Sequence, residues 1–172
     1  MTAIAYVALG SNLGDRLATL QSAVTMLRAG ALPDTAVLRC SPVFETRPVG
    51  PSPHPYLNAA IELRTGLAPD ALLAGLLELE VRHGRTRKQR WEARTLDLDL
   101  LAVVEGGRSL RLATPRLVLP HPELARRDFV LAPLAALRPD LRPSGGETVA
   151  ELLAALSDDA RTIVAPIAGA LG

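Results

Sequence analysis

Apolar and polar positions alternate along the chain in a pattern that predicts strands and helices in turn. Residues 4–9 are a short apolar run rich in strand formers, which ends at a Gly-Ser-Asn segment and predicts a buried strand. Asp15 follows as a helix N-cap, and apolar residues then recur every three or four positions up to Arg28, which predicts an amphipathic helix. We expect a second strand over 35–44 and a third over 56–64.

The second half of the chain continues the same alternation. The expected elements are a helix from Pro69 to His83, a strand over 96–104, a turn at 106–107 with a return near 111–112, a helical segment over 124–137 and a short helix over 149–156. This order predicts an α+β, ferredoxin-like (split βαβ) sandwich, with an antiparallel sheet, helices and extra C-terminal elements. No linker or repeat divides residues 1–172, so we expect a single domain with a core over about 4–137 and a C-terminal extension over 139–172.

Composition and charge narrow the functional classes. The chain is 48% hydrophobic and 22% charged, which is typical of globular rather than disordered proteins. It contains neither an uncharged run of 18 apolar residues nor the basic start of a signal peptide, so no membrane association is expected. A single cysteine, Cys40, favours a reducing cytoplasm. The net charge of +1 is too balanced for a protein that coats nucleic acid, so no nucleic-acid partner is expected.

Basic residues concentrate in one short segment. All but one of the 19 basic residues are arginines, and one segment holds Arg82, Arg85, Arg87, Lys88, Arg90 and Arg94 together with the only tryptophan, Trp91. Arginine is the side chain best shaped for bidentate contact with phosphate. The segment is therefore either a phosphate-binding loop or a solvated basic loop.

Two aspartates follow this segment in the sequence Leu-Asp-Leu-Asp-Leu. Alternation along a strand places Asp97 and Asp99 on one face, about 7 Å apart. Magnesium prefers one or two protein carboxylates together with waters and phosphate oxygens, so the pair suits a magnesium–nucleotide site. In such sites catalysis consists mostly of positioning and charge stabilisation. The alternative is a strand whose polar face is simply solvated. The chain contains neither a P-loop nor a dinucleotide-binding fingerprint.

Several single residues could complete a site. His121 lies in a Leu-Pro-His-Pro turn near Arg127, so it is either structural or a phosphate ligand. Tyr56 and Phe129 could stack on a flat heterocycle and Asn58 could hydrogen-bond to its edge, although a phenylalanine such as Phe129 is more often part of the core. Glu80, near the end of the second helix, is either solvated or orients an arginine of the basic segment. The scattered histidines and Cys40 match neither a zinc ligand set nor a Ser-His-Asp triad.

These segments together resemble the 6-hydroxymethyl-7,8-dihydropterin pyrophosphokinase family of the folate pathway. The matching pieces, in order, are ALGSNLGD (8–15), ETRPVGP (45–51), YLNAA (56–60), RTLDLD (94–99) and LPHP (119–122). Enzymes of this family transfer diphosphate from ATP to a pterin alcohol. The resemblance extends from Ile4 to about Leu137 and implies that the hydroxymethyl oxygen attacks the β-phosphorus of ATP and releases AMP.

The resemblance also implies roles for individual residues. Asp97 and Asp99 would hold two magnesium ions that bridge the ATP phosphates, and Arg85 and Arg94 would stabilise charge on the transferred diphosphate. The implied ATP contacts are Arg87, Trp91, Leu100, His121 and Arg127; the implied pterin contacts are Tyr56 and Phe129 as a sandwich, with Asn58 and the backbone at Thr46 and Val49 at its edge. Glu80 would support the loop arginines. The implied partners are ATP and 6-hydroxymethyl-7,8-dihydropterin, with the protein acting as a monomer.

The chain departs from the family pattern in its basic loop. Glu92 and Ala93 stand where the family usually has Gly-Pro, and we expect Glu92→Gly to raise loop mobility, measured by the fluorescence of Trp91. Two other functions remain as alternatives. One is a catalytically inactive homologue, which retention of the aspartates and arginines disfavours. The other is a ferredoxin-like nucleic-acid-binding module, which an aromatic content of 3% disfavours.

Overall fold

Among the residues that the structure describes, an antiparallel sheet of seven strands organises the fold. A computed structural model describes the protein over residues 2–48, 54–84, 95–167 and 171. Its elements are β1 (Ala3–Ser11), α1 (Arg16–Arg28), β2 (Thr35–Cys40), β3 (Val43–Thr46), β4 (Tyr56–Thr65), α2 (Pro69–Arg82), β5 (Asp97–Glu105), β6 (Arg108–Ser109), β7 (Leu112–Ala113), β8 (Val118–Leu119), α3 (Asp128–Leu137), α4 (Val149–Ala154) and β9 (Ile163–Ile167). The strand order is β6-β5-β1-β4-β3-β9, with β2 also paired to β4. The predicted ferredoxin-like α+β sandwich is confirmed.

Each face of the sheet is covered by helices. On the first face, Val7 and Leu9 of β1 pack in a core with Leu20 of α1 and Leu72 of α2. The second face forms a separate core beneath α3 and α4, and Tyr6 of β1 lies in it. Apolar residues on both faces explain why the central strands are almost continuously hydrophobic.

Local signals located the first helices correctly. Asp15 caps α1 as predicted, since its Oδ1 accepts a hydrogen bond from Ala18 N at 3.0 Å. Pro69 begins α2, where its missing N–H costs no hydrogen bond. Among the described residues, no helix is long and apolar enough to cross a membrane.

The predicted strand over 35–44 is wrong in one respect, because two strands, β2 and β3, occupy this range. Ser41 and Pro42 separate them. Proline has no N–H to contribute to a ladder, and the Ser41 hydroxyl instead accepts a hydrogen bond from Ala60 N at 2.8 Å. Both strands still pair with β4, so the sheet continues across the interruption.

The return strand after the turn at 106–107 also differs from the prediction. It is β6, at Arg108–Ser109, and it follows the turn at once. Leu112 belongs instead to β7, which forms a separate two-stranded hairpin with β8. Gly106 and Gly107 have φ values of 55° and 79°, the left-handed pair that a two-residue hairpin turn needs.

The segments before and after α3 were predicted incompletely. A 3-10 turn at Leu124–Arg126 precedes α3, which begins only at Asp128. Strand β9 was not predicted at all, and it pairs with β3 at the edge of the sheet. The C-terminal extension is therefore part of the central sheet rather than an appendage to it.

Strand β5 carries one extra residue relative to β1. Val7 aligns with Leu100 and Tyr6 with Ala102, so Leu101 forms a bulge between them. Leu100 packs in the core of the first face, whereas Leu101 and Ala102 both pack in the core of the second face.

Candidate active site

Polar side chains from β4 and β5 lie at the same end of the second face, on either side of β1. In the sheet register, Gly10 of β1 aligns with Asn58 of β4 on one side and with Asp97 of β5 on the other. Residues that align across strands project from the same face. At about 4.8 Å between strands, the backbones of Asn58 and Asp97 lie about 10 Å apart. The structure therefore brings together a carboxylate expected at the metal and an amide expected at the pterin. We call this line of three residues the cross-strand row.

Glycine at the centre of this row keeps the space between its two neighbours open. A Cβ added to Gly10 would lie 3.2 Å from the Asn58 Oδ1 atom and 3.9 Å from the Asp97 Cβ atom. The first distance is shorter than an ordinary van der Waals contact, so any larger residue would press on the Asn58 amide. A Cβ at position 10 would therefore disturb Asn58, whereas its contact with Asp97 would be an ordinary one.

The two aspartates lie on the same face, as alternation predicted. Asp97 and Asp99 are half-buried, and Leu98 between them is buried in the core of the opposite face. The Leu98 N–H donates a hydrogen bond to the Glu80 Oε1 atom at 2.7 Å, and Glu80 is only 1% exposed. Glu80 therefore anchors the strand at the point between the aspartates. Sequence reasoning missed this contact, because it joins two residues that are 18 positions apart.

Asn58 and Thr46, the residues expected at the pterin edge, are hydrogen-bonded to each other. Asn58 Nδ2 donates a hydrogen bond to the Thr46 Oγ1 atom at 2.7 Å, and both residues are buried. Thr46 aligns with Tyr56 in the pairing of β3 with β4, so all three belong to the second face. The bond to Thr46 fixes the plane of the Asn58 amide, and Asn58 Oδ1 lies on the side of Gly10.

Phe129 and Arg127 lie at the start of α3, which packs against β4 and β3 on the same face. Phe129 is half-buried against the second core, so it contributes to packing while part of its surface stays accessible. The Arg127 guanidinium lies 5.6 Å from the centre of the Phe129 ring, within the range of a cation–π contact. Arg127 Nη2 also lies 3.7 Å from the Glu123 Oε2 atom, as a partly exposed ion pair.

His121 is held by hydrogen bonds on its backbone and ring. Its N–H donates to the Leu101 carbonyl at 2.8 Å, and its Nδ1 accepts from Glu123 N at 3.2 Å. Because Nδ1 acts as the acceptor, the neutral ring carries its proton on Nε2. In this tautomer the Nε2–H group is a donor that can form a hydrogen bond with a phosphate oxygen.

The remaining predicted site residues fall into two groups. The Leu100 side chain is buried in the core of the first face, so an ATP contact by this residue would have to use its backbone. Val49, Arg85, Arg87, Trp91 and Arg94 lie outside the described residues, as do Glu92 and Ala93.

Sequence reasoning also missed Asp128, a buried carboxylate between Arg127 and Phe129, because its partners lie more than 30 positions away.

The described residues do not form a metal site made of protein ligands alone. Across residues 2–48, 54–84, 95–167 and 171, no group of three or more His, Cys, Asp or Glu side chains could hold a metal ion. Asp97 and Asp99 instead supply two half-buried carboxylates on one face of β5. That donor set is the type that magnesium uses when substrate phosphates complete its coordination.

Comparisons with known proteins show which family this chain resembles. The family model of 7,8-dihydro-6-hydroxymethylpterin-pyrophosphokinase (HPPK) matches residues 6–139. A 2-amino-4-hydroxy-6-hydroxymethyldihydropteridine pyrophosphokinase from Pseudomonas aeruginosa is 44% identical over 151 residues, covering 87% of this chain and 90% of that protein. The protein of the same name from Synechocystis sp. is 41% identical over 163 residues, covering 94% of this chain and 80% of that protein.

Solved structures show the same fold. A Plasmodium falciparum HPPK-DHPS wild-type protein with SDX-DHP superposes with a TM-score of 0.65 at 14% identity, covering 90% of this chain. The superposition covers only 44% of that longer chain. Together, the matched family model and the curated relatives show that this chain belongs to the 7,8-dihydro-6-hydroxymethylpterin-pyrophosphokinase family.

Proposed function

We propose that this protein transfers diphosphate from ATP to the hydroxymethyl group of 6-hydroxymethyl-7,8-dihydropterin, with magnesium, in folate biosynthesis. The observation that carries the proposal is the cross-strand row. Asn58, suited to the edge of a pterin, and Asp97, suited to a metal–phosphate complex, flank Gly10 on one sheet face. Two substrates bound on one face, over β4 and β5 on either side of β1, would have their reacting groups close together, which is the main requirement of phosphoryl transfer.

The pterin would lie between Tyr56 of β4 and Phe129 of α3, with its polar edge toward Asn58. An asparagine amide carries a donor and an acceptor side by side, as does the lactam edge of a pterin. Thr46 supports this recognition because its hydroxyl fixes the amide plane through the 2.7 Å hydrogen bond to Asn58. Flat rings on both sides exclude water and orient the hydroxymethyl group.

ATP would bind on the side of the row that Asp97 and Asp99 occupy. Two carboxylates on one face fit two magnesium ions whose remaining ligands are phosphate oxygens and waters, and these ions would neutralise charge on the phosphates. His121, with an Nε2–H donor, and Arg127 at the start of α3 would contact phosphate oxygens.

The arginines of the basic segment would complete the phosphate site. In this proposal Arg85 and Arg94 stabilise the transferred diphosphate, and Arg87, Trp91 and the Leu100 backbone contact ATP. The pterin hydroxymethyl oxygen forms a bond to the β-phosphorus while the bond to the α-phosphate bridging oxygen breaks. AMP leaves, and the hydroxyl proton passes to solvent. The backbone at Val49 would contact the pterin.

A product assay tests this proposal. Purified protein is incubated with ATP, magnesium and 6-hydroxymethyl-7,8-dihydropterin, and AMP and pterin diphosphate are separated by chromatography. We expect both products in equal amounts, their loss in Asp97→Ala and in EDTA, and normal activity in Asp70→Ala. Asp70 is the matched control because it is an exposed aspartate in the first turn of α2.

Other outcomes would contradict the proposal in distinct ways. Formation of ADP would show transfer of a single phosphoryl group. Binding of magnesium–ATP without turnover would identify a catalytically inactive homologue. Tight, salt-sensitive binding of RNA with no nucleotide turnover would favour the nucleic-acid-binding alternative.

A further inference from the structure

A buried carboxylate beside the site has no part in the proposed chemistry. Asp128 is the first residue of α3 and is 2% exposed. Its Oδ2 atom accepts hydrogen bonds from Thr162 N at 2.6 Å and Ile163 N at 2.9 Å. Its Oδ1 atom accepts from the Thr162 Oγ1 atom at 2.6 Å. A single side chain therefore fixes the segment that leads into β9.

The same segment is also bonded to the end of β3. Arg47 N donates a hydrogen bond to the Thr162 carbonyl at 2.9 Å, and Arg47 Nη2 donates to the Arg161 carbonyl at 2.8 Å. In the pairing of β3 with β9, Thr46 aligns with Ile163. Residues 161–163 therefore lie between the start of α3 and the end of β3, and they are hydrogen-bonded to both.

Each of these two elements carries a wall of the proposed pterin slot. Phe129 directly follows Asp128 in the chain, and Thr46, which holds the Asn58 amide, directly precedes Arg47. We propose that Asp128 is a positioning residue: through Thr162 it sets the separation between Phe129 and the Thr46–Asn58 pair, and thereby the fit of the pterin. This inference rests on the function proposed above.

The number of hydrogen-bond donors around Asp128 explains why a carboxylate suits this position. Three donors converge on Asp128, and a carboxylate offers enough acceptor sites for all of them at the electropositive start of a helix. Alanine would remove the acceptor of the partly buried Thr162 and Ile163 N–H groups. Asparagine could retain the geometry, since its Oδ1 can accept from both N–H groups while its Nδ2 donates to the Thr162 hydroxyl, which can also act as an acceptor.

Steady-state kinetics of Asp128→Ala and Asp128→Asn test the inference, together with hydrogen exchange at the Arg47, Thr162 and Ile163 amides. For Asp128→Ala we expect faster exchange at the three amides and a rise of about tenfold in KM for the pterin. The KM for ATP and kcat should change by less than about threefold. Asp128→Asn should stay within about threefold of the wild type in every parameter.

Glu62→Ala provides the matched control for loss of stability. Glu62 is also a buried carboxylate on the second face, hydrogen-bonded to Tyr6 and Arg39. It lies four residues along β4 from Asn58, about 13 Å at the usual rise of a strand. We expect this variant to lower the melting temperature without changing the KM for the pterin.

Three results would overturn the inference. These are an unchanged KM for the pterin in Asp128→Ala, an equal loss of kcat and of affinity for both substrates, or an Asp128→Asn variant as impaired as Asp128→Ala. If the wild-type protein neither turned over nor bound the pterin in the presence of α,β-methylene-ATP, the proposed function would fail, and this inference with it. An active wild type with an unchanged alanine variant would refute the inference alone.

Discussion

Replacing Glu80 with alanine should destabilise the protein and weaken its site, because this carboxylate anchors the strand between the two aspartates. Glu80 is 1% exposed, and its Oε1 atom lies 2.7 Å from the Leu98 backbone nitrogen, which is itself buried. Removing the acceptor leaves that N–H unsatisfied, at a cost of about 1–3 kcal/mol. For a chain of this size, each kcal/mol lowers the melting temperature by about 2–4 °C. A loss of 2 kcal/mol would thus appear as a fall of roughly 4–8 °C.

The assay combines calorimetric unfolding with titration of magnesium–ATP. We expect Glu80→Ala to lower both the melting temperature and the affinity for magnesium–ATP, because β5 carries Asp97 and Asp99. Glu80→Gln retains a carbonyl acceptor for Leu98 N and should recover most of the stability.

A matched control lies two residues earlier on the same helix. Glu78 has a side chain 65% exposed, paired with Arg82, and such surface ion pairs contribute about 0–1 kcal/mol. Glu78→Ala should therefore leave both measurements nearly unchanged. An alanine variant of Glu80 that melted at the wild-type temperature would refute the reasoning, as would a glutamine variant that melted as low as the alanine variant.

Three further predictions concern the second face. Gly10→Ala should raise the KM for the pterin by about three- to tenfold, because its Cβ would press on the Asn58 amide from 3.2 Å; a KM equal to wild type would show that the amide can shift without loss. Thr46→Val should raise the same KM while sparing that for ATP, because it removes the acceptor that fixes the Asn58 amide; equal effects on both substrates would contradict this. Burial, with the charge of Glu62, raises the pKa of Tyr6 to about 12. The unfolded phenol, by contrast, ionises near pH 10. The contribution of Tyr6 to stability is therefore complete below about pH 10 and is lost as pH rises toward 12, so unfolding curves between these values should show a steeper decline for the wild type than for Tyr6→Phe.

Elements with local signals could be predicted from the sequence. Asp15 and Pro69 marked the starts of α1 and α2 correctly, because a helix start depends on the few residues around it. Alternation likewise placed Asp97 and Asp99 on one face. Each of these features depends only on residues within one helical turn or a few strand positions.

Features that depend on distant partners could not be predicted. Strand β9 is short, half-exposed and contains Pro166, so only its pairing with β3 makes it a strand. The anchoring contact of Glu80 with Leu98 and the hydrogen bonds of Asp128 with Thr162 join separate elements. Their residue types are ordinary, and nothing in the nearby sequence distinguishes them from solvated carboxylates.

The bulge at Leu101 gives the two halves of β5 opposite phases. Before it, the odd-numbered positions that include Asp97 and Asp99 share the second face; after it, even-numbered Ala102 packs there and Val103 packs on the first face. The extra residue separates the two patterns, so that the polar positions at Asp97 and Asp99 are independent of the apolar positions after Leu101. A substitution in one half therefore need not be matched in the other, whereas strict alternation along the nine residues of β5 would link the two halves.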